Sequence, residues 1–408
     1  MRFDLFWVLM GRTAYVFAPL YLIPFAYGFA YGDSLAGSFL ALGVLAAILG
    51  MVFGNMGRSH MRQLSVQEGT LFLLAVWFLL AVLGMLPFHL AGLHLSPADT
   101  FFECISALTT TGMTAFGDAL PPSLLLWRAL MSWFGGLLFI VILVTVLPVV
   151  SGCFGVDFNV RQARLFSPLW NRMTRPMREM TLLYIAITAL SVGIYLMAGD
   201  DIFTALILAL FTIASGAGPM TGGVPPSPDL MLGAGLVALL SALPLLTLWQ
   251  LIHRRSGTIL TRHMELRAFF LLFLAAGVLL AIPSLLHGAR SIAEALGYSF
   301  FYAISFLSTN GLMLQEAAPF HTSAALLLIL LAIIGGCMGS AAGGFRISRV
   351  LVLISLAWSE LLRTLHPRMV LAVRQGGEVV PLHSAGRILV LAFFFAAVFS
   401  VSSLLIAL

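Results

Sequence analysis

Apolar runs of eighteen or more residues recur along the whole chain, at about 12–30, 35–53, 69–88, 123–150, 181–198, 229–252, 267–287, 322–360 and 388–408. Each is long enough to cross a hydrocarbon core of about 30 Å as a helix. The pattern therefore predicts an all-α integral membrane protein with about nine transmembrane helices. Shorter apolar blocks that end in small and hydroxyl residues lie between some of these runs. Composition agrees with the pattern: 9% of residues are charged and mean hydropathy is +1.05, against a charged fraction near a quarter in soluble domains. The first run has no small-residue cleavage site after it and is too long for a signal segment, so it reads as a retained helix.

Charge then orients the spans. The basic residues are all arginines, and Arg2, Arg12, Arg58, Arg62, a cluster from Arg161 to Arg178, Arg254 to Arg267 and Arg346 to Arg387 fall on one side of the nine spans. Only Arg128 and Arg290 fall on the other, where Asp33, Asp99, Glu103, Asp118, Asp200, Asp201, Asp229, Glu294 and Glu316 gather. Lys and Arg accumulate in cytoplasmic loops, which predicts a multi-pass protein of the cytoplasmic (inner) membrane with a cytoplasmic N-terminus. The acidic outer face would attract cations. The net charge of +5 reflects this topology rather than nucleic-acid binding, because no basic stripe is interleaved with stacking aromatics. Cys104, Cys153 and Cys337 are widely spaced in mostly apolar sequence and read as buried thiols.

The shorter blocks are repeats. Aligned on one glycine, "FFECISALTTTG" ends at Gly112, "ALILALFTIASG" at Gly216 and "FFYAISFLSTNG" at Gly311. Each predicts a short helix and an extended re-entrant loop between two full spans. Irregular backbone at membrane depth is tolerated only where it is buried in protein or lines a wet cavity, so the three loops are expected to converge. Backbone carbonyls in such loops can replace the hydration shell of a cation, with glycine giving the backbone freedom this needs. The hydroxyls of Thr109, Thr110, Thr111, Ser215, Ser308 and Thr309 could add ligands. The alternative is that the Ser, Thr and Gly residues only let helices pack closely in lipid.

These segments, with "EGTLFLLAVWFLLAVLGMLPF" at 68–88, "WRALMSWFGGLLFIVILVTVLP" at 127–148 and "GGCMGSAAGGFRISR" at 335–349, resemble the Trk/Ktr/HKT superfamily of potassium transporters, most closely its TrkH-like branch. The resemblance covers nearly the whole chain. It implies potassium uptake through a pore of four non-identical quarters, each two spans around a re-entrant loop. Two extra N-terminal helices occupy 1–66, and repeats occupy 67–150, 151–256 and 257–365, with 366–408 as the first helix of a fourth. Carried over residue by residue, the K⁺ filter is Thr109, Thr110 and Gly112, then Ile213, Ala214 and Gly216, then Ser308, Thr309 and Gly311.

The glycines Gly335, Gly336, Gly339, Gly343 and Gly344 interrupt the run 322–360, and at roughly 1 kcal/mol each relative to Ala they disfavour helix. The resemblance implies that this loop, with Ser340 and Arg346, is a gate below the filter. Ala341, Ala342 and Arg346 depart from the family's usual Ser-Thr and Lys. A simple kink is the alternative, and Arg346 and Arg349 would then be inner-face anchors. The resemblance also implies a homodimer and a cytoplasmic nucleotide-binding regulatory subunit of the TrkA type; that nucleotide-binding module is not expected in this chain, which contains neither a Walker A motif nor G-x-G-x-x-G after a strand, and no cofactor is expected in it beyond K⁺ as the transported ion.

Two other readings stand beside this one. An intramembrane enzyme would need an activated nucleophile or metal centre, and the nine histidines are scattered, with no His-Glu-x-x-His. A non-conducting remnant or assembly partner is the other, because the glycine of a fourth loop is expected near 423–432, beyond Leu408. The expectation is then a pore open along one side and no selective conduction by the chain alone.

Overall fold

The apolar runs become helices in the computed structural model, which describes residues 4–57, 66–92, 96–116, 120–145, 174–216, 228–254, 264–287, 291–313, 322–366, 374–375, 378–380 and 382–407. In chain order these are α1 (Asp4–Phe17), α2 (Leu22–Tyr31), α3 (Ala36–Met56), α4 (Val66–Leu90), α5 (Pro97–Leu108), α6 (Pro122–Thr145), α7 (Thr174–Met197), α8 (Ile202–Ile213), α9 (Pro228–Ala242), α10 (Leu245–Arg254), α11 (Met264–His287), α12 (Ile292–Leu307), α13 (Thr322–Ile334), α14 (Ile347–Leu365) and α15 (Leu382–Ala407). Seven segments among the described residues are long and apolar enough to cross a bilayer: Asp4–Tyr31, Ala36–Met56, Gln67–Leu90, Pro122–Leu143, Met177–Met197, Met264–Leu286 and Ser384–Ala407.

Two predicted spans are broken instead. The run 322–360 is interrupted at 335–346, as the glycine density predicts. The run 229–252 predicts one helix but stops at Ala242 and restarts at Leu245. Pro244 is the cause: it has no N–H to give and disfavours the helical conformation before it, yet it is tolerated in a first turn. Its carbonyl accepts from the amides of Thr247 and Leu248 at 2.9 and 3.1 Å, opening α10. One small departure from the all-α expectation is an antiparallel ribbon of β1 (Arg374–Gln375) and β2 (Glu378–Val379), in the register Arg374 with Val379.

The chain divides into two compact units. The first comprises Met1–Phe139 and Ser191–Pro219, and the second Ile140–Leu190 and Met220–Leu408.

In the first unit the N-terminal helices are fastened to α4 and α6 through a proline defect. Pro87 lies inside α4, so the Leu83 carbonyl four residues earlier loses its helical donor. The buried Tyr21 hydroxyl donates to that carbonyl at 2.7 Å, and Trp127 Nε1 donates to the Gly84 carbonyl at 2.9 Å. The two rings stack 4.2 Å apart, with Phe17 and Phe39 edge-on to Trp127. On another face of α6, Leu126, Ala129 and Leu130 pack with Ile207, Leu210 and Phe211 of α8.

In the second unit, Phe345, Val352 and Val380 form a core with Ala385 and Ile388 of α15. Much of the rest of α15 is exposed apolar surface, including Phe393, Val398 and Leu405.

Candidate functional site

Three short helices, α5, α8 and α12, carry the repeated blocks, and they begin and end by the same rules. At their starts polar residues satisfy free amides. Ser96 Oγ accepts from the Asp99 amide at 3.2 Å and Asp99 accepts from the Ser96 amide at 3.2 Å. Asp201 accepts from the amides of Phe203 and Thr204 at 3.0 and 3.2 Å, and Ser291 Oγ from that of Glu294 at 3.1 Å. Hydrogen bonds from Thr204 hold the exposed Asp201 carboxyl below its ordinary pKa. At 12, 12 and 16 residues, these helices reach about 18–24 Å and cannot cross a bilayer.

Each short helix ends in a Schellman turn, in which the two residues after the cap bond back to the last turn. In the first, Thr110 N–H donates to Ala107 O at 3.0 Å and Thr111 N–H to Ser106 O at 2.9 Å. In the second, Ser215 donates to Thr212 O at 3.1 Å and Gly216 to Phe211 O at 2.9 Å; in the third, Thr309 donates to Phe306 O at 3.1 Å and Asn310 to Ser305 O at 3.0 Å. The left-handed position of such a turn normally holds glycine. Here it holds Thr110, Ser215 and Thr309, all at φ 55°. A non-glycine residue there costs on the order of 1–2 kcal/mol, and threonine's branched side chain makes it an outlier. Strain of one kind thus recurs at one position in all three repeats.

This geometry corrects the register of the second repeat. Thr109, Ala214 and Ser308 are the capping residues, so Ile213 is the last helical residue of its block. Gly216 matches Thr111 and Asn310 rather than Gly112 and Gly311. Gly112 and Gly311 have φ of 77° and 63°, while Gly216 lies outside the left-handed region. Packing, not conformation, makes Gly216 small, since a Cβ there would meet Ser132 Oγ at 2.9 Å. That hydroxyl donates to Ala107 O at 3.0 Å, at the end of α5. Ala217, which follows Gly216 in sequence as Gly112 follows Thr111, lies outside the described residues.

Beyond the turns the loops are braced. Ser106 Oγ donates to Met113 O at 2.6 Å, and Ser305 Oγ donates to Leu312 O at 2.8 Å. These two serines occupy the same helical position; the sequence pattern alone does not single them out, although "ISAL" and "ISFL" share the signal. Behind the first loop, buried Glu103 pairs with buried Arg128. Its other oxygen accepts from Thr114 Oγ1 at 3.0 Å and the Ala115 amide at 2.9 Å. In the third loop, buried Asn310 donates to Ser241 Oγ and Ser308 Oγ, both at 3.0 Å.

The segment 335–346 folds into a loop closed on itself and tied to three neighbours. Gly335 and Gly344 have φ of 72° and 79°, and their backbones cross so closely that a Cβ on Gly335 would strike the Gly343 carbonyl. Phe345 and Arg346 amides return to Ile333 O and Ile334 O at 2.8 and 2.7 Å. Arg346 is buried at φ 82°, and buried Ser340 donates to Cys337 O at 2.7 Å. Glu265 accepts from the Met338 amide at 2.6 Å. The break between α9 and α10 supplies two more bonds: Cys337 N–H to Ala242 O at 3.2 Å, and Leu245 N–H to Gly339 O at 3.1 Å. Gly336 packs there too, where a Cβ would lie 3.4 Å from Ala242 O. Exposed Gly343 donates its amide to Thr309 Oγ1 at 2.7 Å, joining this loop to the third repeat.

Long apolar helices interleaved with capped half-length helices and strained loops define a multi-pass membrane protein of the transporter class. The chain belongs to the TrkH cation transport protein family, whose model matches residues 38–217 and 238–407. The Trk system potassium uptake protein TrkH of Escherichia coli strain K12 is 29% identical over 393 residues, 93% of this chain and 81% of that protein. TrkG of the same strain, also a Trk system potassium uptake protein, is 31% identical over 330 residues, 78% of this chain and 67% of its own. The crystal structure of the potassium transporter TrkH from Vibrio parahaemolyticus superposes with a TM-score of 0.88 at 26% identity, covering 98% of this chain and 85% of that one.

Proposed function

We propose that the chain carries potassium ions across the cytoplasmic membrane, with loop carbonyls replacing part of the ion's hydration shell. The observation that carries this reading is the shared strained turn at Thr110, Ser215 and Thr309 in a member of a cation transport family. A helix C-terminus bears about half a negative charge, so each short helix presents its cation-favouring end to its loop. The filter positions are Thr109, Thr110 and Gly112 in the first loop, Ala214 and Ser215 in the second, and Ser308, Thr309 and Gly311 in the third. The loop 335–346 acts as the gate, with Thr309 as its contact to the filter.

The N-terminus is cytoplasmic, and the repeats follow 67–150, 151–256 and 257–365 after two extra helices. A homodimer and a cytoplasmic nucleotide-binding subunit of the TrkA type complete the assembly. The test is ⁸⁶Rb⁺ and ²²Na⁺ uptake by bacteria lacking their own potassium uptake systems. Gly112→Ser and Gly311→Ser are expected to lower the Rb⁺ to Na⁺ ratio. A ratio unchanged in both variants contradicts the filter.

A further inference from the structure

Arg128 stands apart from the arginines of the inner face, and its surroundings give it a role that charge topology does not. It lies on α6 and is 4% exposed. Its Nε donates to Glu103 Oε1, while Nη2 reaches the carbonyls of Gly112 at 3.4 Å and Met113 at 3.5 Å. The guanidinium also lies over the Phe211 ring, 5.3 Å from its centroid. Glu103 is fully buried and accepts from Thr114 and Ala115 with its other oxygen. One ion pair thus holds four consecutive residues of the first loop, its cation on two carbonyls and its anion on two donors. The position six residues before the capping residue is Glu103 in the first repeat, Leu208 in the second and Tyr302 in the third. The brace belongs to the first loop.

We propose that Glu103 and Arg128 are positioning residues that set the cation preference of this loop. The inference rests on the reading of Gly112 as a filter position. The planar guanidinium spreads its donors over separate nitrogens in a fixed fork, so Nε serves the carboxylate while Nη2 serves two carbonyls, a geometry that an ammonium with all its donors on one nitrogen does not reproduce. Donating to the Gly112 and Met113 carbonyl oxygens fixes their direction and tempers their pull on a small ion. Glu103 has the complementary task, because it cancels a cation that would otherwise repel the transported one through a poorly screened interior.

The experiment compares Arg128→Lys and Glu103→Gln in the full chain, by uptake of ⁸⁶Rb⁺ and ²²Na⁺ and by the amount of folded protein recovered from membranes. Arg128→Lys keeps the charge and is expected to lower the Rb⁺ to Na⁺ ratio severalfold. Glu103→Gln leaves the guanidinium uncompensated and is expected to raise the KM for Rb⁺ by about tenfold or more, with the smaller change in maximal rate. Folded variants with unchanged ratio and KM overturn the proposal and assign the pair to packing. Loss of folded protein in both variants overturns it likewise, as a purely structural pair behaves that way. If Gly112→Ser also leaves the ratio unchanged, the filter reading itself has failed, which separates the two outcomes.

Discussion

Thr110 and Thr309 share φ 55° at the same step of their loops, yet what holds each loop in place differs in kind. Behind the first lies a buried ion pair, Glu103 with Arg128, reaching residues 112–115. The third, among the described residues, is held by neutral hydrogen bonds, from Asn310 to Ser241 and from the Gly343 amide to Thr309. One loop is fixed by charge to α6, and the other shares its bonds with the segment 335–346 and with the end of α9. On the proposed reading, the fixed loop serves ion discrimination and the loop bonded to the segment 335–346 transmits movement of the proposed gate. Pseudo-symmetric repeats can thus keep one backbone turn and divide the supporting tasks.

Gly335→Ala is the harshest way to probe the third-loop side, because the added Cβ meets the Gly343 carbonyl and the backbone is left-handed. We expect a loss of about 3 kcal/mol, seen as a lowered melting temperature of the purified protein, together with raised basal ⁸⁶Rb⁺ flux. Unchanged melting and flux would remove the gate from the comparison.

A matched pair of substitutions sharpens it. Thr309→Val keeps the branched shape but leaves the Gly343 amide without its acceptor, a loss of about 1–2 kcal/mol, and basal flux is expected to rise. Thr110→Val keeps the ion pair behind its loop and is expected to change stability by no more than about 0.5 kcal/mol. Equal effects of the two would mean that the loops are supported alike.

The mildest test concerns the strain itself. Ser215→Gly relieves a left-handed serine and is expected to stabilise the protein by about 1 kcal/mol, with some loss of Rb⁺ over Na⁺ preference. No gain in melting temperature would show that the turn carries no strain.

Much of this is legible in the sequence, and the failures have physical causes. Long apolar runs and the glycine-dense break at 335–346 are visible because hydropathy and glycine act locally. The break at Pro244 is not, since an apolar average passes over one proline whose missing N–H ends a helix. Alignment on Gly216 misregisters the second loop by one residue. Where a short helix stops depends on which amide bonds back to it, and that places Ser215, not Ala214, beside Thr110 and Thr309 in the common turn. Counting spans sets Arg128 apart from most of the other arginines, but its partner Glu103 lies twenty-five residues away in sequence, and only the fold brings them together.

Whether the strained loops bind a dehydrated potassium ion is tested most directly by thermal unfolding of the purified chain in KCl against NaCl at equal ionic strength, for the wild type and for Gly112→Ser and Gly311→Ser. A ligand that binds only the folded state stabilises it by about 2.7 kcal/mol at a hundred times its Kd. We expect the wild type to melt several degrees higher in KCl, and the difference to shrink or vanish in both variants. Equal melting of the wild type in the two salts, or a difference that survives both substitutions, would contradict ion binding by these loops.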